Sequence, residues 1–103
     1  MTAQVERLVA EKNLIPLGYK KITGLSVVKT LADGAAIPAS ACYALLYVET
    51  QDVRWRDDGT NPTATDGVKL VKDKEFMYKG NLAAIKFLEL AASAVLHVTF
   101  YMQ

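Results

Sequence analysis

A chain of 103 residues, 51% hydrophobic and 22% charged, has room for one domain and is too apolar for disorder. Twelve basic and eleven acidic residues leave a net charge of +1, which excludes a broad electrostatic hold on nucleic acid or on an anionic membrane. The single cysteine, Cys42, excludes an intramolecular disulfide; flanked by apolar residues and no base, it is expected as a small buried thiol.

In chain order, Thr2 to Asn13 is the one segment with helical spacing. Val5, Leu8 and Val9 share a face, and Glu6, Arg7, Glu11 and Lys12 take the other. It is either a short helix or an extended arm, since so short a helix needs a surface to lie on. It carries no apolar core of a secretion signal, so synthesis in the cytoplasm is expected. Pro16-Leu17-Gly18 reads as a turn. Residues 1–21 are therefore assigned to an arm or short helix, and residues 22–103 to the folded domain.

From Tyr19 the apolar period is two. Tyr19 to Leu31 reads as a strand with a break near Gly24, and Ala32-Asp33-Gly34 as a turn. The next element starts at Pro38, with Tyr43, Leu45 and Tyr47 on one face and Ala44, Leu46 and Val48 on the other. A strand apolar on both faces is either central in a sandwich or covered by a neighbouring subunit. Val53 and Trp55 alternate with Arg54 and Arg56, a half-buried strand that runs into turn chemistry from Asp57 to Thr63. Short strands follow around Val68 and Leu70, Phe76 and Tyr78, Ile85 and Phe87, and lastly Leu96, Val98 and Phe100. Turn signals at this spacing predict an all-β, single-domain β-sandwich of jelly-roll-like form.

Chemistry is sparse. One histidine, His97, and one cysteine do not make a zinc set, and no serine has a base beside it in sequence. Asp57, Asp58, Asn61 and Asp66 gather oxygens in one loop, but not at the alternate spacing of a calcium loop, so a turn-capping role is expected. The expectation is a protein without catalytic centre, metal or cofactor. Six residues stand out for partner binding: Arg54, Trp55 and Arg56, and the strand residues Tyr43, Leu45 and Tyr47. A planar guanidinium suits a carboxylate on a partner, and aromatic residues bring large apolar area with a polar tip. The structural alternative buries Trp55 and pairs both arginines with surface carboxylates.

The block Val53-Arg54-Trp55-Arg56-Asp57-Asp58-Gly59-Thr60, with Pro62-Thr63-Ala64-Thr65 and Gly67, resembles a family of small proteins encoded among tailed-bacteriophage structural genes. Leu82 to Phe87 and Leu96 to Tyr101 extend the resemblance, which covers roughly residues 22 to 101. It implies a component of the virion, made in the host cytoplasm, and supplies no catalytic residues. The expected role is a capsid decoration or cement protein that stabilises the shell by binding the major capsid protein. Such a protein is expected as a homo-oligomer, a trimer seated over a symmetry axis, with no nucleic acid and no membrane as partner. A neck, tail or head-fibre component of the same particle is the nearest alternative. A carbohydrate-binding module that uses Trp55 for host attachment is the alternative from another class.

Overall fold

The computed structural model describes residues 13–103. The helix-or-arm segment Thr2 to Asn13 lies outside that range except for Asn13. Eight strands follow in order: β1 Ile15–Ile22, β2 Lys29–Thr30, β3 Tyr43–Glu49, β4 Val53–Arg56, β5 Val68–Leu70, β6 Glu75–Tyr78, β7 Lys86–Glu89 and β8 Val95–Met102. They form two antiparallel four-stranded sheets, sheet A in the order β1-β8-β3-β6 and sheet B in the order β2-β7-β4-β5. Strands pair from the outside of the chain inwards, β1 with β8, β2 with β7, β3 with β6 and β4 with β5. A ribbon of four such pairs wrapped into two sheets is a jelly roll.

Alternation along the strands makes the core. β3 sends Ala44, Leu46 and Val48 inward, and β8 sends Leu96, Val98 and Phe100 to meet them, all almost wholly buried. Val53 of β4 and Phe87 of β7 close the cluster from sheet B. Each of these leucines, valines and phenylalanines contributes about 1.5–3 kcal/mol of transfer free energy when fully buried.

β1 departs from the expectation twice. The Pro16-Leu17-Gly18 segment is not a turn, and the sheet begins at Ile15, ahead of the expected boundary at residue 22. Proline is tolerated because β1 is the edge of sheet A, and the register slips by a bulge between Pro16 and Gly18. Beyond Gly24 only Lys29–Thr30 resumes as strand, so the long strand to Leu31 is two elements in different sheets. Lys20 faces inward beside Val98, and its Nζ donates to the carbonyls of Leu31 (2.7 Å) and Ala35 (2.8 Å). Desolvation lowers its pKa, with Asp33 opposing. An inward lysine on an edge strand also discourages pairing with a foreign strand.

The Pro38 segment is a turn, closed by Ala41 N to Pro38 O at 3.0 Å, and β3 starts only at Tyr43. Cys42 therefore sits beyond the end of the strand. It shares the inward parity of Ala44, but no sheet covers it there, and its thiol is exposed rather than buried.

The loops gather at two ends. One end holds the connections after β1, β3, β5 and β7, tied by Glu89 N to Leu25 O, Leu90 N to Asp52 O and Lys72 N to Asp52 Oδ1. Each of these four connections contains one left-handed residue: Gly24, Thr50, Asp73 and Ser93. The opposite end holds the longer connections, residues 31–42, 57–67 and 79–85.

Candidate functional site

The six residues singled out from the sequence do not meet in one place. Tyr43, Leu45 and Tyr47 lie on the outer face of sheet A, whereas Arg54 and Arg56 lie on the outer face of sheet B. Trp55 points between the sheets.

Sheet register sets out the outer face of sheet A in rows. One row runs Lys21, His97, Tyr47, Glu75 across β1, β8, β3 and β6. The next runs Tyr19, Thr99, Leu45, Met77, and beyond it Tyr101 stands opposite Tyr43. Four of the five tyrosines thus share this face. Tyr19 is 60% exposed, while Tyr43, Leu45, Tyr47, Thr99 and Tyr101 are half-buried by one another.

His97 organises one part of the face. Its Nδ1 is 2.6 Å from Tyr19 Oη and its Nε2 is 2.5 Å from Glu49 Oε1. A neutral ring with its proton on Nε2 satisfies both bonds, the Tyr19 hydroxyl donating to Nδ1 and Nε2 donating to Glu49. The Tyr19 ring stacks on the imidazole at 5.8 Å, and the Tyr47 ring tilts against it at 6.1 Å. Tyr47 Oη donates to Asp73 Oδ1 at 3.1 Å, and this bond is the first cause of a phenol pKa raised above the ordinary range. Sequence spacing hides the cluster, because Tyr19, Glu49 and His97 come from three strands far apart in the chain. The usable signal was parity: on β8, His97, Thr99 and Tyr101 alternate with the core residues.

On sheet B the arginine block builds a loop. Arg54 Nε donates to Ala64 O (3.1 Å) and its Nη1 to Gly67 O (2.8 Å). Arg56 forks onto Asp58, Nε to Oδ1 at 3.1 Å and Nη2 to Oδ2 at 2.5 Å, and Lys86 Nζ reaches Asn61 Oδ1 at 3.2 Å. Outward cations of β4 and β7 thus fold residues 57–67 back over their own sheet, with Pro62 fully buried beneath. Asp58 also accepts from Thr60 N, and Asp66 accepts from the hydroxyls of Thr63 and Thr65. Asp57 instead accepts from Tyr78 Oη at 2.7 Å. The loop oxygens are therefore turned to different partners: Asp58 takes the turn-capping role expected of all four, whereas Asp57 and Asp66 accept from side-chain hydroxyls and Asn61 from Lys86. Arg56 holds the Asp58 carboxyl below its usual range, and burial with the Asp57 bond holds the Tyr78 phenol well above its own.

Gly67 is required where the loop re-enters β5. Its φ is 135°, and a Cβ there would lie 3.1 Å from Trp55 O and 3.2 Å from Arg54 Cβ.

Trp55 packs against the core, stacks on Phe76 at 5.8 Å and meets Tyr78 edge-on at 5.6 Å. Its Nε1 is buried without a partner among the described residues. Beside it lies an open cleft of about 310 Å³, lined by Trp55, Arg56, Asp57, Asp58, Asp66 and Val68 among others. Two further clefts, one under Ile37 to Cys42 and one beside Gly24 and Ser93, carry no cluster of ionisable side chains. Among the described residues no helix is long and apolar enough to cross a membrane.

Compared with protein-family models, curated proteins and solved structures, the chain matches none.

Proposed function

We propose that this chain is an accessory structural protein of a tailed-phage particle, a decoration or cement protein that stabilises the capsid by binding the major capsid protein. The observation that carries this reading is the outer face of sheet A. Its middle is uncharged and rich in tyrosine, and its charges, Lys21, Glu49 and Glu75, stand at the margin. Depleted charge at the centre, aromatic residues and a polar rim are the anatomy of a protein interface. The resemblance of the Val53 to Thr63 block to phage structural proteins supplies the particle. The jelly roll is used by viral capsid domains, which supports the reading by analogy of fold alone.

Mechanically, such a protein bridges neighbouring capsomers with modest contacts that gain avidity by repetition around the shell. The test is co-sedimentation of purified protein with capsids that lack it, followed by the temperature at which the decorated shells disrupt. Binding at a copy number in the hundreds with a raised disruption temperature is the expected result. A copy number of about a dozen or fewer would move the protein to a neck or tail ring. No association with particles would end the proposal.

The cleft beside Trp55 favours a second reading. A half-buried indole next to carboxylates and a guanidinium has the apolar face and polar groups that hold a sugar ring. Jelly rolls also serve as lectin domains. Glycan-array binding that is lost in Trp55→Ala, in protein that still folds, would select this reading over the first.

A further inference from the structure

We infer that two copies of this chain pair face to face through the outer surface of sheet A, about a two-fold axis that runs along the strands between β8 and β3. The inference takes the tyrosine face proposed above as an assembly surface and names its occupant, a second copy.

The argument is one of register and charge. A two-fold axis lying in the contact plane and parallel to the strands carries each row of the face onto itself, reversed. In the row Lys21, His97, Tyr47, Glu75, it sets Lys21 against the second copy's Glu75, and Glu75 against its Lys21. Opposite charges therefore meet at both edges of the contact. Neither Lys21 nor Glu75 has an ion-pair partner among the described residues, and both are exposed. Inside that rim, His97 meets Tyr47, Thr99 meets Leu45, and Tyr101 meets Tyr43, so two aromatic rows flank a row of threonine and leucine. Tyr19 on the β1 edge meets Met77 on the β6 edge, an aromatic ring against a thioether.

The other in-plane two-fold, running across the strands, lays β1 over β1 and β6 over β6. It separates Lys21 from Glu75 by the width of the sheet and forgoes both pairs. Face-to-face sheets pack with their strands within about 30° of alignment, so the first axis is compatible with ordinary sheet twist. The strands of sheet A, of 8, 8, 7 and 4 residues and spaced about 4.8 Å apart, give a face of about 430 Å², or about 860 Å² over two copies, below a standard stable interface and in the range of transient contacts. The pair is accordingly reversible. It is also isologous and closed, so it adds no further copies by itself. The pair, in place of the trimer expected from the sequence, is then the unit that would bridge capsomers, meeting the capsid through surfaces other than this face.

Sedimentation equilibrium of the full chain over a wide concentration range tests this without any particle present, so its outcome is separate from the capsid-binding experiment. A monomer–dimer equilibrium is expected for the wild type. Lys21→Glu and Glu75→Lys each place like charges together at both edges, and each should weaken the dimer about ten-fold or more. The double variant Lys21→Glu/Glu75→Lys restores opposite charges and should recover most of the affinity. Both positions are exposed, and unchanged melting temperatures will show that folding is intact. Leu45→Lys, at the centre of the face, should abolish the dimer. Wild-type protein that is monomeric throughout, or trimeric, overturns the inference. So does a double variant no better than either single one.

Discussion

Phe87 is fully buried and stands opposite Trp55 where β7 pairs with β4. Phe87→Ala should cost about 3–5 kcal/mol in a urea titration, the transfer term plus the cavity left behind. Tyr78 makes a different kind of contribution. Its ring is core, but its hydroxyl donates to Asp57 and to Asn81 O, and a Cβ on Gly80 would run into the phenol. The phenol ionises less readily in the folded protein than in the unfolded chain. A group with a raised folded pKa gives its full stabilisation below the unfolded value, here 10.0, and loses it as the pH climbs beyond. Melting temperatures measured between neutral pH and strong alkali should fall more steeply above that value in the wild type than in Tyr78→Phe. Equal slopes would mean that Tyr78 takes no part in alkaline unfolding.

The strand-plus-loop unit from Val53 to Gly67 shows what the arginines do at the scale of an element. Arg54 bridges two carbonyls of the loop, a geometry that suits a forked donor and that a lysine ammonium reproduces poorly. Arg54→Ala should lose roughly 2 kcal/mol in chemical denaturation, with faster amide exchange confined to residues 57–67. Arg54→Lys should recover little of either. The strands β4 and β8 were legible in the sequence because each alternates and one face of each is core, and β3 was legible as an unbroken apolar run. β1 and β2 were legible only in part, as one broken strand from Tyr19, since an edge strand tolerates Pro16, a bulge shifts its parity, and two residues of β2 are too few to show a period. The six candidate residues were each legible as chemically unusual. Their division between two opposite faces was not, because register between strands far apart in sequence decides which side chains become neighbours. The same cause concealed Tyr19, Glu49 and His97. No carboxylate is a close sequence neighbour of His97, yet β3 brings Glu49 against the imidazole.

Taken whole, the jelly roll gives the molecule two unlike faces and two unlike ends. Sheet A offers an aromatic outer face, while the corresponding face of sheet B is taken up by the chain's own loop. At one end, all four connections turn through a left-handed residue, and at three of them that residue is Thr50, Asp73 or Ser93 rather than glycine. A β-branched threonine pays most for that conformation. The asymmetry decides where the scaffold accepts foreign sequence. An insert at Thr50 must undo a strained turn that is locked to its neighbours, and it should lower the melting temperature sharply. Ala35 and Ala36, at the other end, are exposed on a long connection, with only the Ala35 carbonyl engaged among the described residues. A short polar peptide grafted after Ala36 should leave the melting temperature almost unchanged and stand clear of both sheet faces. The fold thus carries a ready display site, set apart from the surface through which it is proposed to assemble.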